Sequence, residues 1–312
     1  MASRISKLPA QARFLLFAVL SLASSTILSS ILSVFTGPSL AALGPEPSAE
    51  NDTSYVFLLL GWRLIELAVG WFLGFDDVDI FALTTISQTP LCFLLWSFYR
   101  VPLPTIGLKL LIDIASFSGP MALLRPAPTQ TANAYIVRDR PIQIFSSLLA
   151  TCVYSVSLLL FLRTSWLPYV IIEHFYPIAS MEITWNASIA NLVPLLIPLG
   201  AAAHMFMFAP SVAAQKKSAA ETEKLRPFDP ETASLLETVK YNLGFDRLAT
   251  DDRAKILVGR TLVAVLFSSA NVVIRALATV KGVDAGGVLG WMMPWVAATA
   301  ATGFSYFWVG KF

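Results

Sequence analysis

Five ionisable side chains fall inside stretches that are otherwise apolar. Arg63 and Glu66 share one stretch, Lys109 and Asp113 a second, and Arg275 lies in a third. In hydrocarbon each would cost at least about 2.5–3.5 kcal/mol, so such groups are paired or used. Arg63 and Glu66 are three residues apart and Lys109 and Asp113 four apart, which puts each pair on one helix face. Two readings of this pattern stand. In one, the pairs are neutral locks that set helix register. In the other, they line a polar cavity where Glu66 or Asp113 acts as a general acid. Asn271 and Arg275 then extend the cavity, and Arg63, Lys109, Asn271 and Arg275 contact a substrate.

A second constellation is acidic. Asp76, Asp77 and Asp79 form one cluster, and Asp246, Asp251 and Asp252 form another, followed by Arg253 and Lys255. Two carboxylate clusters facing one cavity can hold Mg²⁺, a hard cation that bridges to substrate phosphates. Arg253 beside them would clamp a diphosphate. The plainer reading makes the same residues helix N-caps and a polar hairpin turn.

The elements that must carry these groups are membrane helices. The chain has 312 residues, of which 56% are hydrophobic and 13% charged, and its mean hydropathy is +0.67. Spans of the required ~20 residues are expected at 14–36, 55–75, 80–99, 104–124, 143–163, 189–209, 258–280 and 286–309. The fold class is thus an all-α polytopic bundle of about eight helices. The number falls to seven if the first is a cleaved signal or if 104–124 does not span. One transmembrane domain covers 1–312, with a cytosolic insert at 211–257. In that insert, Asp229-Pro230-Glu231 starts an amphipathic helix bearing Leu235, Leu236, Val239 and Leu243, and a second helix capped near Asp251 runs on into the next span.

With a cytosolic N-terminus, sixteen Lys and Arg lie on the cytosolic side and three opposite, a strong positive-inside bias. Both termini are then cytosolic, in the endoplasmic reticulum or another endomembrane. The sequons at Asn51 and Asn186 fall on the lumenal side. Pro90, Pro194 and Pro198 interrupt spans three and six, and Ser21, Ser25, Ser29 and Ser33 form a small-residue packing seam on span one. Segment 164–185 reads as an interfacial helix or lid with Glu173 beside His174. Gln88 and His204 read as interhelical hydrogen-bonding residues. Two histidines exclude a membrane His-cluster metal site, and the net charge of +2 gives no support to nucleic acid as a partner.

The two acidic segments, FDDVD around Asp77 and FDRLATDDRAKILVGRTL from Phe245 to Leu262, resemble the two Asp-rich motifs of the UbiA-type membrane prenyltransferases and their terpene-cyclase relatives. The first segment lacks that family's Asn, and the second lacks its Gly and has altered spacing. The resemblance covers these segments and the span count. It implies an integral membrane enzyme acting on an isoprenoid or other lipid-like substrate, with Mg²⁺ on the Asp clusters. A metal-free cyclase would use Glu66 or Asp113 instead, with aromatic side chains steadying a carbocation. A transporter or channel, and a scaffold whose protein partner binds the insert, are the alternatives. The lipid bilayer and a hydrophobic small molecule are the expected partners.

Overall fold

Residues 77–97 carry apolar side chains on every face, a pattern that suits a helix surrounded by other helices. The computed structural model of the chain places them at the centre of an all-α bundle. It describes residues 9–36, 49–125, 139–214, 234–235, 238, 251–280 and 282–310. In chain order the helices are α1 (Ala10–Thr36), α2 (Ala49–Phe72), α3 (Asp77–Ser97), α4 (Leu103–Leu124), α5 (Arg140–Arg163), the short α6 (Trp166–His174) and α7 (Ile183–Asn186), then α8 (Ile189–Ala213), α9 (Asp252–Thr279) and α10 (Ala285–Val309).

Seven of these helices are long and apolar enough to cross a membrane. They include α4, so segment 104–124 has the length and composition of a span despite Lys109 and Asp113. The eighth expected span, α10, forms as a 25-residue helix without a charged side chain. Its Gly, Thr, Trp and Pro content keeps it below the hydropathy of the other seven.

α3 is flanked by α4, α8 and α9, and 78% of its most apolar window is buried, against 22% for α1 and 28% for α2. α1 lies outside on α4, and α2 outside on α9 with few contacts to α1. These outer helices leave Val19, Ile27, Val56 and Phe57 exposed, the surface a bilayer would cover.

The prolines do not break their helices. α3 continues through Pro90, and α8 through Pro194 and Pro198. A proline removes one intrahelical hydrogen bond, and packing of α8 against α5 holds the remaining turns in line. That packing is close: a Cβ added at Gly200 would sit 2.0 Å from the Thr151 hydroxyl oxygen. The irregularity in α8 comes one turn later, as a π turn over His204–Phe208.

Segment 164–185 covers one end of the bundle. The Tyr176 N–H donates to Gly282 O, and Gly282 has φ +69° with no room for a Cβ, which would meet Tyr176 O at 1.5 Å. His174 pairs mainly with Asp284, Nδ1 to Oδ2 at 2.9 Å; Glu173 stands 3.9 Å from its other ring nitrogen. Asp284 also caps α10 by accepting from Gly287 N–H. That N–H, with the His174 contact, holds its carboxyl below the usual range.

α9 starts at Asp252 with Asp251 as its N-cap and runs unbroken to Thr279, as the sequence leads one to expect. Most of the insert, including the expected helix from Asp229 and the metal candidate Asp246, lies outside the described residues.

Candidate functional site

Helical spacing brings Arg63 and Glu66 to one face of α2, and Lys109 and Asp113 to one face of α4. The tertiary fold adds Arg275 of α9 between them. Arg63 Nη1 donates to Glu66 Oε2 at 3.0 Å and Lys109 Nζ to Asp113 Oδ2 at 3.1 Å. Arg275 Nη2 reaches Glu66 Oε2 at 3.3 Å, and its Nη1 lies 3.8 Å from Asp113 Oδ2. The two local pairs are thus one five-membered charge network across three helices. Glu66 is 2% exposed, Arg63 9%, Asp113 13% and Arg275 14%, while Lys109 is the most open at 27%.

Neighbouring polar side chains hold the network in place: Asn271 and Gln88, expected from the sequence, and Ser116 and Trp62, which were not. Ser116, one turn beyond Asp113, accepts from Arg63 Nη2 at 2.9 Å and donates to Asp113 O. The Arg63 guanidinium also lies over the Phe117 ring, 4.8 Å from its centroid. Asn271 takes two donors on Oδ1, Trp62 Nε1 at 3.0 Å and Arg275 Nε at 2.7 Å, and gives its Nδ2–H to Ser87 O. With these bonds made, Asn271 positions Arg275 and ties α2, α3 and α9 together. Gln88, with its amide oxygen turned to α9, accepts from Arg275 at 3.2 Å. The position of Ser116, on the Lys109–Asp113 face, was a readable signal. The partnerships of Trp62 and Ser87 were not, because they join residues 209 and 184 apart.

The network borders a half-open cavity of about 480 Å³. Arg63, Lys109, Asp113 and Arg275 line it, facing Leu59 and Leu60 of α2 and Ser25, Ser29 and Ser33 of α1. Glu66 lies behind this wall. The serine seam of α1 therefore divides after Ser21, with Ser25, Ser29 and Ser33 on the cavity. Ser21 is fully buried and Ser24 donates to Ser116 O at 3.4 Å, whereas Ser29 and Ser33 are exposed and line the cavity instead of packing. The expected continuous packing seam is corrected on this point: the helices part where the charged side chains need room.

A second, larger cavity of about 610 Å³ lies between α5, α8, α9 and α10 and shares no lining residue with the first. Phe145, Phe208, Tyr306 and Phe307 line it, with Asp251 and Arg253 among its polar members. Ser146 borders it too and bonds His204 Nδ1 at 2.7 Å, the interhelical role expected of that histidine. Phe145, Phe208, Tyr306 and Phe307 thus line a different cavity from Asp113.

The acidic residues read as possible metal ligands are distributed otherwise. Asp76 caps α3, accepting from Asp79 N–H at 2.7 Å, and burial pushes its carboxyl above the usual range against that hydrogen bond. Asp77 stands in the first turn of the same helix. Asp79 binds Arg260 of α9 through both oxygens, one contact being 2.8 Å. Arg260 also donates to Phe206 O in the π turn and lies between the Phe75 and Phe206 rings. Asp251 caps α9 through Arg253 N–H, and Asp252 meets Lys255 at 3.4 Å. Arg253 Nε donates to Ala214 O across the two ends of the insert. Among the described residues no group of three or more His, Cys, Asp or Glu is arranged to hold a metal ion.

The fold and this buried charge network define an all-α, polytopic integral membrane protein. Comparison with protein-family models, curated proteins and solved structures finds no match to any of the three.

Proposed function

We propose that this protein takes a lipid-like amphiphile from the bilayer into the charged cavity and acts on it. It would be an integral membrane enzyme of isoprenoid or other lipid metabolism. One observation carries the reading: a cavity of about 480 Å³ sets Arg63, Lys109, Asp113 and Arg275 against leucine and serine side chains, on helices long and apolar enough to span a membrane. Polar groups at membrane depth that line a cavity mark a substrate or ion path. The apolar side chains would hold a hydrocarbon body and the cations a polar head.

A carrier is the second reading, and the pairing of the carboxylates favours it. Glu66 and Asp113 each already face two basic side chains, which leaves neither as a free acid within the network. Mass spectrometry of lipids retained by the protein in native bilayer particles tests the shared premise. An enriched amphiphile is expected, and its depletion in a Ser29→Trp variant that fills the cavity. No enrichment over bulk lipid would refute the proposal. Turnover of that amphiphile, lost in Glu66→Gln or Asp113→Asn, separates enzyme from carrier.

For orientation, we place both termini on the cytosolic side of an endoplasmic-reticulum-type membrane, from the Lys and Arg asymmetry. Single cysteines at 45, 130, 180 and 220 should then label outside, inside, outside and inside. Labelling of 130 from the lumenal side, with 220 still inside, contradicts this.

A further inference from the structure

The wall of the charged cavity is not neutral. Among the described residues that line it, three are cations, Arg63, Lys109 and Arg275, and one is a carboxylate, Asp113. Glu66 behind them brings the network to two anions against three cations, an excess of one positive charge at ordinary ionisation. Donors also outnumber acceptors. The Arg63 side chain is buried, at 9% exposure, and among the described residues its Nε–H has no hydrogen-bond partner. Lys109 carries three N–H donors, and Asp113 is its hydrogen-bond acceptor at 3.1 Å. A buried donor without an acceptor and an unbalanced buried charge are both costly, and one anion relieves both.

We propose that the cavity binds the head group of an amphiphile carrying a single negative charge, a carboxylate or a phosphodiester, with its oxygens at Lys109 and Arg63. The proposal rests on the reading of the cavity as a lipid-substrate site and specifies the charge of that substrate. Ser25, Ser29 and Ser33 supply hydroxyls on the facing wall. The tail lies against Leu59 and Leu60, toward the sparse contact between α1 and α2. One negative charge is favoured over two because the excess is one: a dianion would leave net negative charge at membrane depth.

The test uses the full-length protein in nanodiscs of zwitterionic lipid. It titrates a fluorescent fatty acid, its neutral methyl ester and a lysophospholipid with a phosphodiester-glycerol head, and includes inorganic phosphate as competitor. Both anionic amphiphiles should bind at least about tenfold tighter than the ester, the weight of one charge-assisted hydrogen bond. Lys109→Gln should remove most of that preference and Lys109→Arg should keep it. Ser29→Trp, on an exposed position of α1, should abolish binding of all three without disturbing the network. Equal binding of acid and ester, or an unchanged preference in Lys109→Gln, overturns the charge assignment while leaving the lipid-site reading intact. Failure of every amphiphile to bind overturns both. Displacement by inorganic phosphate overturns the lipid source in favour of a free anion.

Discussion

Glu66→Ala is expected to destabilise the protein by about 3–5 kcal/mol, the cost of removing one partner from a buried ion pair, and Arg63→Ala added to it should restore part of that loss. The reason lies in the charge balance of the network. Arg63, Lys109 and Arg275 face Glu66 and Asp113, an excess of one. Removing Glu66 raises the excess to two and deprives two guanidinium groups of the carboxylate they share at 3.0 and 3.3 Å. Removing Arg63 as well returns the excess to one. The double variant still falls short of the wild type, because Arg275 has lost its Glu66 contact and Ser116 its donor. Thermal unfolding in detergent reads the order directly: wild type above the double variant, and the double above Glu66→Ala. Equal melting temperatures for the single and double variants would show that Arg63 and Glu66 do not act as a pair.

At the other end of the bundle, the acids around Asp77 should separate into graded effects. Asp79→Ala should cost about 3 kcal/mol, the low end for a broken buried pair, since Arg260 retains some exposure. Its guanidinium would remain between Phe75 and Phe206 with Phe206 O as its remaining acceptor. Asp76→Ala should cost about 1 kcal/mol, the loss of an N-cap. Asp77→Asn should stay within about 0.5 kcal/mol, as a surface change away from such contacts does. A shared metal site predicts something else: comparable losses for all three variants, together with stabilisation by Mg²⁺. Unfolding curves with and without Mg²⁺ decide between the two, and an Asp77→Asn variant as damaged as Asp79→Ala would refute the graded account.

Much of this architecture was written in local pattern. Apolar runs of membrane length mark α1 to α5, α8 and α9, because a helix satisfies its own backbone polar groups and only its length must match the bilayer. The i,i+3 and i,i+4 spacings of Arg63–Glu66 and Lys109–Asp113 determine those pairs, since helix geometry alone sets them on one face. Asp251 as the N-cap of α9 follows from the same local rules.

Partners on different helices were beyond such rules. Nothing local says that Arg275 joins Glu66 and Asp113 into one network, or that Asn271 spends its amide on Trp62, Ser87 and Arg275. Asp79 has the composition of a metal ligand in its own segment, yet α9 packs along α3 and delivers Arg260 from 181 residues away. Ser21, Ser25, Ser29 and Ser33 have one spacing throughout, and only the divergence of α1 from its neighbours turns the last three from packing residues into cavity wall. Sequence determined which residues share a helix face, because helical periodicity is local. Which faces meet, and where they part to leave a charged cavity, was decided by the packing of whole helices, in which every contact depends on all the others.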